Sequence, residues 1–195
     1  MVPVLYLAAA YLCGSIPFSW ILGRLKGVDL REHGSGNPGA TNLLRTCGKG
    51  MGITGLLLDA LKGAAPVYAA LYHGPEFLWL PAAAVVMAVC GHVLMPWFGF
   101  RGGKGAATAL GALLVLATLP VLCALGVFIV VVAVTRMISA GSVLGGLSLP
   151  VWGFVFSVPV LEKAVMLLLA LAILVTHRSN IRRIIAGNER KLEGR

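Results

Sequence analysis

Residues 105–135 read GAATALGALLVLATLPVLCALGVFIVVVAVT, a run without a single charge. One helix of that length would extend about 46 Å, against a bilayer hydrocarbon core of about 30 Å. The run is therefore too long for one span. Pro120 divides it into two short ones, 105–118 and 119–135. A single kinked helix is the alternative, which would leave six spans instead of seven.

On either side of this run, apolar stretches at 2–22, 51–72, 77–98, 143–158 and 160–176 complete the pattern. The expected fold is an all-α integral membrane protein, a bundle of seven transmembrane helices in one domain spanning 1–195. Several stretches are short for a straight span, so tilt or local thinning of the bilayer is implied. Composition agrees: 58% of the residues are hydrophobic and 12% charged, and the mean hydropathy is +0.92. A soluble domain carries about 25% charged residues, so half of the usual solvating surface is missing, as lipid contact requires.

The net charge of +9 would fit a nucleic-acid binder, but topology explains it more simply. With the N-terminus outside, the inner segments hold Arg24, Lys26, Arg31, Arg45, Lys49, Arg101, Lys104 and Arg136. The cytoplasmic C-terminal tail adds Arg178, Arg182, Arg183, Arg190, Lys191 and Arg195. Only Lys163 falls outside and Lys62 within a span, so the positive-inside rule sets the orientation and no nucleic acid need be invoked. No basic region precedes the first apolar run, so a cleavable leader is not expected. Cys13, Cys47, Cys90 and Cys123 show neither CxxC pairing nor metal-ligand spacing, and no metal site is expected.

The outer connections (72–77, 118–119 and 158–162) are short and plain, whereas the inner ones are rich in Gly, Asn, Ser and Arg. The first inner segment runs from Gly34 to Asn42 as GSGNPGATN, followed by Arg45. Its glycines allow close backbone approach to an anion, Ser35, Asn37, Thr41 and Asn42 add neutral donors, and Arg45 adds a fork suited to phosphate. The GxGxxG match at Gly34, Gly36 and Gly39, with Asp59 beyond, lacks the strand of a dinucleotide fold.

The second segment, Gly91 to Thr108, places Gly102-Gly103-Lys104-Gly105 at the start of a span, where a helix N-terminus and a mobile cation favour phosphate. Phe98 and Gly105 stand where a Walker A loop needs Gly and Ser or Thr, so an anion site without nucleotide hydrolysis is expected. The third segment, Arg136 to Ser142, is a short turn in which Ser139 or Ser142 can cap a helix. The fourth, His177-Arg178-Ser179-Asn180, puts His177 and Asn180 on one face if the helix continues, with Glu189 farther along. Asp59 and Lys62 are ionisable residues at i,i+3 inside a span, either a bracing pair or a substrate contact. His92 reads as a packing histidine. No Gly-x-Ser-x-Gly elbow is present, and the fifth residue after each histidine (Pro38, Leu78, Trp97, Arg182) is never the Asp of a His-x4-Asp pair.

Taken together and in order, the Gly34–Asn42 segment with Arg45, Asp59-x-x-Lys62-Gly63, Gly91–Thr108, and His177–Asn180 with Gly187 and Glu189 resemble the acyl-phosphate-dependent glycerol-3-phosphate acyltransferases of bacterial membranes, over essentially the whole chain. The resemblance implies transfer of a fatty acyl group from acyl phosphate to the 1-hydroxyl of sn-glycerol 3-phosphate, giving lysophosphatidic acid and inorganic phosphate. It implies that Ser35, Gly36, Gly102, Gly103 and Lys104 hold the acyl-phosphate headgroup, with Asn37 in the substrate-binding set. It also implies that Arg45, Lys104, Ser142, His177 and Asn180 hold glycerol 3-phosphate. Catalytic roles then fall to His177, Lys104, Asn180 and Ser35, supporting ones to Asp59, Lys62 and Glu189, with Glu189 organising the tail. No cofactor is expected, the partners are the two substrates and the bilayer, and a monomer suffices. The plasma (inner) membrane, with the site on its cytoplasmic face, is the expected location. A transporter of a phosphorylated metabolite is the competing class, although no repeated halves or paired broken helices support it.

Overall fold

The computed structural model describes residues 2–73 and 76–192. Among the described residues there is no strand. The chain forms α1 (Val2–Ser15), α2 (Phe18–Leu25), α3 (Ala40–Cys47), α4 (Lys49–His73), α5 (Leu80–Val93), α6 (Ala106–Leu116), α7 (Thr118–Thr135), α8 (Ile138–Val155), α9 (Val160–Thr176) and α10 (Arg178–Ile185), with a 3-10 turn at Pro96–Phe98. Gly74 and Pro75 of the 72–77 connection, and Arg195 of the basic tail, lie outside the described residues.

Pro3–Leu25, Leu80–Phe98, Thr118–Thr135 and Ile138–Val155 are long and apolar enough to cross a bilayer, and the α9–α10 pair, bent by 63°, adds a fifth candidate. The protein is therefore a multi-pass membrane protein. Val134 and Val160 are each 80% exposed, among many large apolar side chains at the surface, as lipid contact allows.

Three boundaries differ from the sequence reading. The 105–135 run breaks at Ala117, not at Pro120, which is the third residue of α7. A proline there loses no bond, because the first four amides of a helix have no partner within it. The helix expected at 143–158 begins at Ile138, so Ser139 and Ser142 lie inside α8 instead of in a turn, and its N-cap, Met137, makes no side-chain cap. The first span is broken at Ile16–Pro17, between α1 and α2.

The chain forms two compact units, 1–116 and 117–195. In the first, α4 packs against α1, α2, α3, α5 and α6, and α1 also packs on α5. Small residues allow this closeness. A methyl group at Gly63 would strike the Thr108 carbonyl of α6, and one at Gly111 would strike the Ala60 carbonyl of α4. Pro66 inside α4 cannot donate to the Lys62 carbonyl; the Cys13 thiol takes that place at 3.5 Å, and the Tyr6 hydroxyl donates to the Pro66 carbonyl. In the second unit α8 packs between α7 and α9, and α10 folds back onto α8 and α9.

Candidate functional site

In the first unit the break at Ile16–Pro17 frees main-chain carbonyls, and two of them are met by distant side chains. Lys62 Nζ donates to the Ile16 carbonyl at 2.6 Å, and Trp97 Nε1 to that of Ser15 at 3.0 Å. Asp59 pairs with Lys62 at 2.8 Å and accepts from Ser19 Oγ at 2.6 Å, with both charged side chains almost wholly buried. Its carboxylate also lies 3.9 Å from His92 Nδ1. Asp59 and Lys62 thus tie α4 to the broken span.

The loop between α2 and α3 is knitted by Asn42 of α3, which is 1% exposed. Its Nδ2 donates to the carbonyls of Leu30 (2.8 Å) and His33 (2.9 Å), and its Oδ1 accepts from the Ser35 amide at 2.8 Å. Asn37 Oδ1 accepts from the Gly39 amide at 3.0 Å. Asn42 therefore shapes the loop instead of facing a ligand. Ser35 is left exposed beside Gly36, whose φ of +70° keeps the turn tight. Arg45 follows one turn later on α3, half-buried.

Sequence reasoning missed the residues that fasten this loop. Asp29 accepts a bidentate fork from Arg31 (Nε 3.1 Å, Nη2 2.8 Å), the Arg31 amide at 3.0 Å and Trp20 Nε1 at 2.9 Å. The Arg31 fork holds the Asp29 carboxyl well below the usual carboxylate range, against the opposing effect of burial. One signal was available: the two acids, Asp29 and Glu32, in an otherwise basic inner segment. Arg31 also lies against two rings that touch each other, 5.5 Å from that of Trp20 and 4.8 Å from that of Phe98.

The 94–105 loop closes on the end of α5. The Gly102 amide donates to the Val93 carbonyl at 2.9 Å and the Gly103 amide to the His92 carbonyl at 3.0 Å, which caps the helix. These two amides, read from sequence as part of an anion cradle, are thus already donated. The glycines are required for contact instead: a Cβ at Gly102 would meet the His92 carbonyl, and one at Gly103 would meet His92 Nε2. Lys104 comes next, half-buried, just before the first turn of α6, where amides lack partners within the helix.

In the second unit the tail returns onto the α7–α8 corner, where the Leu192 amide donates to the Arg136 carbonyl at 2.7 Å. Glu189 is its anchor. Oε1 accepts from Ser139 Oγ (2.9 Å) and Asn180 Nδ2 (2.7 Å), and Oε2 from Arg183 Nε (2.7 Å). Burial pushes the Glu189 carboxyl up, but the bonds from Asn180, Ser139 and Arg183 outweigh it and leave it below its ordinary value. Ser139 is thus a partner of Glu189 and not a helix cap, a contact with no sequence signal. Ser142 Oγ donates to the Ile138 carbonyl at 2.9 Å.

The continuous helix expected through His177 is instead bent by 63° there. His177 and Asn180 are nonetheless both buried, at 3% exposure each. His177 Nδ1 sits 3.1 Å from the Ile173 carbonyl and 3.3 Å from Thr176 Oγ1. A carbonyl oxygen only accepts, so the contact with Ile173 requires a proton on Nδ1. The first unit thus assembles Ser35, Gly36 and Asn37 on one loop and Gly102, Gly103 and Lys104 on another, with Arg45 on α3. The second carries Ser142, His177, Asn180 and Glu189, of which Asn180 and Glu189 are hydrogen-bonded. Among the described residues no cluster of His, Cys, Asp and Glu is arranged to hold a metal.

A family model described as glycerol-3-phosphate acyltransferase matches residues 4–187. The chain is 46% identical over 193 residues to the glycerol-3-phosphate acyltransferase of Trichlorobacter lovleyi, covering 96% of each. It is 45% identical over 186 residues to that of Geobacter sulfurreducens, covering 95% of each. It also resembles crystal structures of PlsY, an integral membrane glycerol 3-phosphate acyltransferase. The glycerol 3-phosphate form gives a TM-score of 0.94 at 35% identity, and the lysophosphatidic acid form 0.92 at 34%; each match covers 99% of this chain and 96% of the other.

Proposed function

Because the chain belongs to the PlsY family of glycerol-3-phosphate acyltransferases, we propose that its acyl donor is an acyl phosphate and its acceptor the 1-hydroxyl of sn-glycerol 3-phosphate. The observation that carries this reading is the end-to-end likeness to a protein solved with glycerol 3-phosphate and with lysophosphatidic acid, a substrate and a product of such a transfer. The hydroxyl oxygen forms a bond to the acyl carbon, the bond from that carbon to the phosphate oxygen breaks, and inorganic phosphate leaves with the electron pair. Acyl phosphate is a mixed anhydride with a good leaving group, so no covalent enzyme intermediate is required. Holding two anions in register and offsetting their charge supplies the catalysis.

In this reading Ser35, Gly36 and Asn37 hold the acyl-phosphate headgroup together with Lys104. Gly102 and Gly103 serve by letting the loop close on α5. Arg45, Lys104, Ser142, His177 and Asn180 hold glycerol 3-phosphate, and Glu189 fixes Asn180 and the tail. His177 orients the acceptor through Nε2, and the hydroxyl proton goes to a phosphate oxygen. The support is that the Ile173 carbonyl, 3.1 Å from Nδ1, fixes the orientation of the ring, as a positioning role requires. The chain acts as one domain over 1–195, with seven spans, the N-terminus outside and the site on the cytoplasmic face of the plasma (inner) membrane. Fourteen of the sixteen basic residues on one side favour that orientation.

Purified protein in detergent, given acyl phosphate and radiolabelled glycerol 3-phosphate without ATP, CoA or divalent metal, is expected to form labelled lysophosphatidic acid. Lys104→Ala is expected to abolish the product without unfolding the protein. No transfer by the wild type, with uptake of label into sealed vesicles instead, would sink the reading in favour of a transporter.

A further inference from the structure

Arg31 contributes to two interactions with different parts of its guanidinium. One edge makes the bidentate fork to Asp29, which is 7% exposed. The guanidinium carbon also lies 5.5 Å from the ring of Trp20 of α2 and 4.8 Å from that of Phe98 of the 3-10 turn, and the two rings themselves meet edge to face at 5.3 Å. An isolated surface ion pair contributes little, but a planar cation held by a fork and set against two touching rings is fixed in orientation. Arg31 and Phe98 each lie a few residues from a glycine-rich loop. The Arg31 carbonyl packs against Gly36, 3.3 Å from where a Cβ would lie. Phe98 belongs to the reversal, held by the Phe100 amide on the Met95 carbonyl at 2.8 Å, that leads directly into Gly102-Gly103-Lys104.

We propose that Arg31 is a positioning residue, a flat wedge seated against the touching rings of Trp20 and Phe98 that sets the Ser35–Gly36 loop in register with the Gly102–Lys104 loop; its kinetic consequence rests on the reading that these loops hold the acyl-phosphate headgroup. The wedge has two requirements. Planarity is one, because lysine carries the charge but neither the fork nor the stacking face. Phe98 is the other, because without that ring the second loop loses its contact with the first. Arg31 acts through geometry and not through its charge, which Asp29 already offsets.

The test compares the wild type with Arg31→Gln, Arg31→Lys, Phe98→Leu and the Arg31→Gln/Phe98→Leu double variant, each as full chain in detergent. Arg31→Gln and Phe98→Leu are each expected to raise KM for acyl phosphate by about tenfold, with KM for glycerol 3-phosphate within about twofold of wild type. Arg31→Lys is expected not to rescue, and the double variant to be no worse than either single one, since both changes remove the same wedge. Wild-type kinetics in Arg31→Gln, full rescue by lysine, or multiplying losses in the double variant would each overturn the proposal. Hydrogen–deuterium exchange gives a second readout that is independent of the donor: Phe98→Leu must accelerate exchange in residues 26–39, on the other loop. If it does while the wild type ignores acyl phosphate, the wedge stands and the donor assignment falls. Unchanged exchange in 26–39 removes the wedge whatever the donor.

Discussion

The imidazole of His92 fills the volume that a β-carbon would need at Gly103, and the His92 carbonyl accepts the Gly103 amide at 3.0 Å. One residue at the end of α5 thus dictates, from two sides, the path of the loop that carries Lys104. Gly103→Ala must displace either the ring or the loop. Since a shift of about 1 Å in a positioning group costs about a hundredfold, turnover is expected to fall by that order while the protein still purifies folded. Steady-state acyl transfer checks it; near-wild-type turnover would mean that the loop path is immaterial to Lys104.

The Asp59–Lys62 pair gives a stability prediction. Asp59→Asn leaves a buried ammonium with the Ile16 carbonyl but no counter-charge, a defect of about 3–5 kcal/mol. Combining it with Lys62→Met removes the stranded charge and is expected to recover most of the loss. Thermal unfolding in detergent measures both, and equal destabilisation of the single and double variants would exclude a bracing role for the pair.

These two sites also mark how far the sequence could be read. The helix positions were legible because apolar runs of near-bilayer length leave few alternatives, and the lysine-bearing glycine turn was legible because its composition is unusual. The exact ends were not. Pro120 looks like a breaker but sits in a first helical turn, where it costs nothing. Gly141 looks like a turn former but lies in α8, where a methyl group would strike Val132 and Phe128 of α7. α3 and α10 are short and polar, and are held by contacts such as those of Asn42 and Glu189, which join residues that no local pattern relates. The wedge of Trp20, Arg31 and Phe98 was invisible for the same reason.

Glu189 gives a pH prediction. Its carboxyl is held below its ordinary value in the folded protein, so its contribution to stability is present above the normal carboxylate range and is lost as pH falls through the lowered value. Glu189→Gln keeps the size but loses the charge-assisted bond from Arg183, costing about 1–3 kcal/mol near neutrality. The gap in melting temperature between wild type and variant is expected to close on acidification from pH 6 towards pH 3. A gap independent of pH would assign the effect to packing alone.

His177→Gln separates orientation from proton transfer. If Nε2 orients glycerol 3-phosphate, the loss is expected mainly in KM, with the acidic limb of the pH–rate profile intact. General-base catalysis would instead lower turnover by about 10²–10⁴-fold and abolish that limb near pH 6–7. Disappearance of the limb in the Gln variant would therefore reassign the base to His177.

The interruption between α1 and α2 has a consequence in time as well as in space. The groups that complete it arrive late in the chain: Lys62 lies 46 residues beyond Ile16, and Trp97 lies 82 beyond Ser15. A ribosome feeding this protein into the bilayer delivers the gap well before its fillers. Until residue 97 has emerged, the Ser15 carbonyl of the first span must be hydrated, since hydrocarbon offers it no donor. The earliest segment inserted is thus among the last to be finished, and the nascent protein carries a wet notch that only its own later helices can dry.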